Sequence, residues 1–185
     1  MKFYSILLIF SLIFLIGCTT EVKEEVVVVD TTEILEEIKD DVNWRNIKLM
    51  DVRTGTEFTV TGFTKPVLLE SFAVWCPTCT NQQEEIKAFH KVVGEDVISI
   101  SVDTDPNEDE SKVLAHIERN GFDWHYAIAQ AEFTQSLIDE FGVNIVNAPR
   151  VPMLLICQDG TVKKLKDGVK EVDVLLEEIK NCGND

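Results

Sequence analysis

Basic residues are scarce in this chain. Its 185 residues hold 17 Lys and Arg against 33 Asp and Glu, a formal net charge of −16. Such a surface repels nucleic acid and anionic lipid head groups. That removes polyanion binding from the functions to consider, and leaves basic partners or plain solubility. Histidine is scarcer still. His90, His116 and His125 stand singly, without ligand spacing, and read as surface or partly buried residues. One Cys-x-x-Cys pair with no second pair, and no paired histidines, argues against a four-ligand zinc site. Internal repeats and low-complexity tracts are absent. So is an apolar N-terminal run of the about 20 residues that a membrane-spanning helix needs. The run from Phe3 to Ile16 has 14 residues, with Ser5 and Ser11 inside it.

That short run follows Lys2 and leads into Leu15-Ile16-Gly17-Cys18. Its make-up is that of a signal-peptide core. Leu15 to Cys18 resembles a lipobox, in which a peptidase cuts before Cys18 and the Cys18 thiol carries lipid. An uncleaved signal anchor is the alternative. Both place the domain outside the cytoplasm, tethered to a membrane. Loss of the leader with Lys2 leaves a net charge of −17. The chain is thus expected to divide into a leader (1–17), a lipid-anchored tether (18–44) and one domain (45–182). Within the tether, Val26 to Val29 is a candidate edge strand. Ile34, Leu35 and Ile38 have the spacing of a short helix.

The chemistry is concentrated in Trp75-Cys76-Pro77-Thr78-Cys79. An apolar strand expected over 66–73 ends there, and a helix expected over 79–93 begins, with Ile86, Phe89, Val92 and Val93 on one face. A thiol at a helix N-terminus meets free N–H groups and the positive end of the dipole, which favour the thiolate. Its pKa falls from about 8.5 toward neutrality or below, and the thiolate is the form that attacks a disulfide. Cys76 is therefore expected to be the exposed nucleophile. Cys79, one turn inward, is expected to resolve the mixed disulfide. Pro77 and Thr78 lie between them and tune the thiolate without supplying strong charge. Glu70 interrupts the apolar strand. Buried there, its pKa would rise, and it would serve to take the Cys79 proton. The alternative is that Glu70 points outward on an alternating strand.

The other segments fit an alternating pattern. A hairpin joins 47–50 to 57–60. Val97 to Val102 alternates as a strand and ends at Asp103. Helices are expected near 110–120 and 131–141, with a strand over 124–129 between them. Strand 153–157, a turn at Gln158-Asp159-Gly160 and strand 161–165 precede a final amphipathic helix over 169–179. Strands alternating with helices predict an α/β fold with a central mixed sheet flanked by helices.

Leu69 to Cys79 resembles the active site of the thioredoxin superfamily, closest to its membrane-anchored TlpA/ResA/CcmG branch, and the resemblance covers roughly residues 45–182. The Trp-Cys-Pro-Thr-Cys form is similar to the members that serve cytochrome c biogenesis. The stretch from Asp103 to Gly142 is longer than in a minimal thioredoxin, and an extra helix and strand there is what this branch shows. The resemblance implies a thiol–disulfide oxidoreductase without cofactor or metal. Its partners would be protein dithiols or disulfides and a membrane electron donor. It places Trp75 beside the pair and makes Pro152 the cis-proline that lies against the disulfide. Pro149 is a rival, and the backbone of Val151 would pair with substrate. It likewise puts Glu70 at the position of the family's buried acid. Three departures stand out: Glu84 replaces a helix-bending proline, Gln82 replaces an acid of some relatives, and 144–150 looks inserted. Cys157 and Cys182 read as a buried apolar residue and a tail thiol, or as a pair. Three other readings remain open. A peroxidase needs Thr where this chain has Ala73, a Sco-type metal carrier needs a wider cysteine spacing, and a redox-inactive binding lipoprotein would have no use for intact cysteines.

Overall fold

A computed structural model describes residues 43–182. The leader, Cys18 and the remainder of residues 1–42 lie outside the described residues, so the expectations for them are neither met nor overturned. A short antiparallel hairpin opens the domain, β1 (Leu49–Met50) with β2 (Glu57–Phe58). Five strands then form one mixed sheet: β3 (Val67–Phe72), β4 (Ile98–Asp103), β5 (His125–Ile128), β6 (Met153–Ile156) and β7 (Val162–Lys164), in the order β5-β4-β3-β6-β7. The β3–β4 and β4–β5 pairs are parallel, and β3–β6 and β6–β7 are antiparallel. Four helices cover it: α1 (Pro77–Val93), α2 (Glu110–Asn120), α3 (Ala131–Phe141) and α4 (Val172–Lys180). The expected α/β architecture is therefore the observed one, with α2 and β5 forming the additional helix and strand.

Strand periodicity decides what the core contains. Side chains alternate between faces along β3. Leu68 and Phe72 join Ile86 and Phe89 of α1, Ile117 of α2 and Leu175 of α4 on one face. Val67 and Leu69 join Phe133 and Leu137 of α3 on the other. Glu70 shares the face of Leu68 and Phe72 and so lies beneath α1, only 1% exposed. The same rule places the polar side chains of β4. Its polar positions Ser99, Ser101 and Asp103 are not on a solvent face; they are buried on the same side of the sheet as Glu70.

The edges are closed by short contacts. The N-terminal hairpin docks on β5, where Val52 N–H donates to the Tyr126 carbonyl at 2.9 Å and Asp51 pairs with His125 at 2.7 Å. Trp44, assigned by sequence to the tether, is fully buried against α3. Its indole Nε1 donates to Glu140 at 2.8 Å and its backbone N–H to Ser136 at 2.9 Å. The folded unit thus begins ahead of residue 45. Helix α2 stops at Gly121, whose φ of 63° and ψ of 46° supply the left-handed cap that closes the last turn. At the pole opposite the C-terminal end of β3, Cys157 and Cys182 form a disulfide with Cα atoms 5.5 Å apart.

Candidate active site

The strand-to-helix junction builds the redox pair. Backbone at Cys76 is extended, so Cys76 serves as the N-cap of α1, and Pro77 fills the first helical position where no N–H is needed. The Cys76 sulfur accepts from the Cys79 N–H at 3.2 Å and lies 3.2 Å from the Thr78 hydroxyl. Cys76 and Cys79 form a disulfide, Cα atoms 5.3 Å apart. The Cys79 sulfur sits 3.2 Å from the carbonyl oxygen of Ala148. These surroundings are unequal. Donors around Cys76 favour its thiolate, whereas a carbonyl beside Cys79 favours its protonated thiol. One sequence expectation is corrected: Cys76 is not exposed. Both cysteines are 1% accessible, because the turn at 148–150 leans over the pair and the Pro149 carbonyl accepts from Thr78 at 3.4 Å.

Beneath the pair lies a buried polar network. The Glu70 carboxylate accepts from Ser101 at 2.5 Å and from Gln83 Nε2 at 2.8 Å, both at Oε1, while Oε2 has no partner. Burial pushes the Glu70 pKa up to about 7, against the lowering effect of Ser101, Gln83 and the Lys170 charge. Gln83 accepts in turn from His116 Nε2 at 2.6 Å. His116 is 2% exposed, not at the surface, and burial lowers its pKa. Lys170 Nζ donates to the carbonyl of Val151, and Gln82 contacts the Lys170 backbone. Burial brings Lys170 down to about 8. Lys170 and Gln83 went unnoticed in the sequence, where Ser101 was read only as part of a strand and His116 only as a surface or partly buried residue. An interrupted apolar strand marks Glu70, but nothing local marks residues that meet it from four other segments.

A second acidic group flanks the pair. Trp75 is exposed, and its indole Nε1 donates to Asp105 at 2.5 Å. The Val74 N–H donates to Glu108 at 2.6 Å. Asp103, at the end of β4, has one oxygen without a partner. Burial raises its pKa to about 7, and the nearby Glu108 and Asp105 charges add to the rise. A groove lined by Trp75, Asp105, Pro106, Val146 and Pro149 runs alongside.

Around Pro152 the structure departs from expectation. No cis peptide bond occurs among the described residues, so the bond before Pro152 is trans. Val151 is not free to pair with a substrate backbone either. Its N–H donates to the Ala148 carbonyl at 2.8 Å, and its carbonyl is held by Lys170. Val151 adopts φ 51° and ψ 56°, a left-handed conformation strained for a β-branched residue. The segment 144–150, which looked inserted, lies in two 3-10 turns, Val143–Val146 and Ala148–Arg150, and supplies the carbonyls that contact Thr78 and Cys79.

Solved structures share this arrangement of strands and helices at low sequence identity. A secreted disulfide oxidoreductase of Mycobacterium tuberculosis, homologous to E. coli DsbE, superposes with a TM-score of 0.56 at 14% identity, over 74% of this chain and 96% of that one. A thiol:disulfide interchange protein of the thioredoxin family from Chlorobium tepidum gives 0.58 at 18% identity, over 74% and 92%. The pneumococcal exposed lipoprotein thioredoxin from Streptococcus pneumoniae gives 0.55 at 20% identity, over 73% and 98%. No curated protein sequence matches the chain. The Redoxin family model matches residues 39–181. The chain belongs to the Redoxin family, and its paired Cys76 and Cys79 on this thioredoxin-like scaffold make it a thiol–disulfide oxidoreductase.

Proposed function

We propose that this protein exchanges disulfides with other proteins outside the cytoplasm, tethered to the membrane through lipid on Cys18. The unequal surroundings of the two sulfurs carry the reading. Cys76, among donors, attacks or is attacked first, and the partner becomes covalently joined to it. Cys79, kept protonated by the Ala148 carbonyl, then attacks the Cys76 sulfur. The Cys76–Cys79 bond forms, the partner leaves as a thiolate, and the Cys79 proton passes to Glu70. Because both sulfurs are buried, entry requires the turn at 148–150 to move off Thr78. Pro152 backs this turn, and Trp75, Pro77 and Thr78 form the rim that a partner meets. The lipobox-like Leu15 to Cys18 and the likeness to a lipoprotein thioredoxin support the tether. A membrane electron donor resets the pair. The Trp-Cys-Pro-Thr-Cys form favours c-type apocytochromes, whose haem sites carry a Cys-x-x-Cys-His dithiol, as substrates.

Equilibration with dithiothreitol and glutathione buffers, followed by alkylation and mass spectrometry, tests the redox assignment. Cys76 and Cys79 are expected to titrate together as one two-electron couple. A pair that never reoxidises, or is modified one thiol at a time, would overturn it. Intact mass of the membrane fraction tests the tether. A lipid adduct on a chain beginning at Cys18 is expected, and a soluble chain retaining Met1 would contradict it.

A further inference from the structure

The turn over the redox pair is fastened from its outer side. Toward the pair it makes only a 3.4 Å contact between the Pro149 carbonyl and Thr78, and the contact of the Ala148 carbonyl with the Cys79 sulfur at 3.2 Å. Shorter contacts come from the loop at 167–170. Arg150 Nε donates to Asp167 Oδ2 at 2.7 Å, and Arg150 Nη2 lies 2.5 Å from the same oxygen. The Gly168 N–H donates to the Arg150 carbonyl at 2.8 Å. That loop is itself anchored on α1. Gln82 Oε1 accepts from the Lys170 N–H at 2.6 Å, and Gln82 Nε2 donates to the Lys170 carbonyl at 3.2 Å. The loop is thus a fixed post beside the pair, and the turn is tied to it. Val151, at the foot of the turn, holds a left-handed conformation with φ 51°. A strained residue keeps such a conformation only where its surroundings hold it there. The side chains of Arg150 and Asp167 are 48% and 29% exposed, so this tie is open to water and salt.

We propose that Arg150 is a positioning residue of the redox site: its ion pair with Asp167 fastens the 148–150 turn over the Cys76–Cys79 disulfide and sets how often a partner reaches Cys76. This rests on the reading that the turn must move for a partner to enter. Among the described residues, the groups hydrogen-bonded to the two sulfurs are Thr78, the Cys79 N–H and Ala148. The ion pair therefore acts through the turn. Fastening changes access and not the chemistry of the sulfurs. Loss of the pair should speed reduction and reoxidation alike, and leave the redox equilibrium where it was.

Reduction of the oxidised full-length protein by dithiothreitol, quenched with acid and alkylated for mass spectrometry, measures access. Arg150→Met and Asp167→Asn are each expected to react about 1.5- to 5-fold faster than the unmodified protein, the range that an exposed ion pair permits. The double variant is expected to match the faster single one, since both substitutions remove the same interaction. Added salt should narrow the gap, because it screens the pair in the unmodified protein. Arg150→Lys keeps the charge and is expected to restore the rate toward that of the unmodified protein. The signs are decisive. Dithiothreitol attacks as an anion, so a bare field effect would slow Arg150→Met and speed Asp167→Asn. That opposite response, unchanged rates in both variants, or a shifted redox equilibrium in glutathione buffers overturns the proposal. Iodoacetamide alkylation of the reduced, unmodified protein tests the underlying reading by itself. Corrected for thiolate fraction, Cys76 is expected to react more slowly in the folded protein than in the same protein unfolded in urea. Equal rates mean that the turn does not restrict entry, and that reading falls together with the proposal. A shielded Cys76 whose reduction rate neither variant alters removes the role of Arg150 alone.

Discussion

Replacing Glu70 by Gln removes a titrating group while nearly keeping its shape, and the structure sets the size of the effect. Burial lifts the Glu70 pKa from its ordinary 4.5 to about 7. The folded protein therefore holds a proton that the unfolded chain has already released across that interval. A raised folded-state pKa contributes stability that is fully present below about pH 4.5 and is lost as the pH climbs through about 7. A gap of about 2.5 pH units corresponds to about 3 kcal/mol. Gln stays neutral throughout. The variant is thus expected to gain about 3 kcal/mol on the unmodified protein between about pH 4.5 and 8, whatever its offset at the acid end. Urea unfolding of both proteins, with disulfides intact, at a series of pH values supplies the difference. Titrating groups on which Glu70 does not act, Asp103 among them, cancel in the subtraction. A difference that stays flat across the range would refute the reasoning, since Glu70 would then not hold its proton in the folded state.

Asp103→Asn is expected to show the same sign. Burial raises Asp103 from 3.8 to about 7, so the variant should gain stability on the unmodified protein as the pH rises through that window and not below it, again by urea unfolding. Replacing Cys157 and Cys182 together by Ala opens a loop with a sequence separation of 25 residues. Chain entropy alone gives about 3.5 kcal/mol of destabilisation, seen as a lower urea midpoint. The redox equilibrium of Cys76 and Cys79, at the other pole of the sheet, should not move in the same variant; a shift there would mean the two disulfides communicate.

Much of the fold was legible because periodicity is local. The strands at 67–72 and 98–103 and the helices at 77–93, 110–120 and 131–141 stand close to where apolar spacing and turn residues put them. The Cys76–Cys79 pair was legible for the same reason: spacing and a strand-to-helix switch are written in consecutive residues. Glu70 announced itself by interrupting an apolar run. What sequence hid was tertiary. Lys170 and His116 look like surface residues in any window around them, and become site residues only when α1 brings Gln82 and Gln83 to meet them. Alternation along β4 does not say whether the polar side is covered, so the burial of its serines was not legible. The burial of Cys76 follows from the turns at 143–150, a segment without regular periodicity. Pairing of Cys157 with Cys182 needed the approach of the chain after α4 to the end of β6.

The central claim is the division of labour between Cys76 and Cys79, and covalent trapping tests it most directly. Cys79→Ser keeps the attacking sulfur and removes the resolving one, so mixed disulfides with partner proteins should accumulate and appear on non-reducing gels of membrane extracts. Cys76→Ser should accumulate few. Mass spectrometry of the trapped bands names the partners, and apocytochromes with Cys-x-x-Cys-His would support the cytochrome c reading. Equal trapping by both variants, or none by either, would contradict the assigned roles.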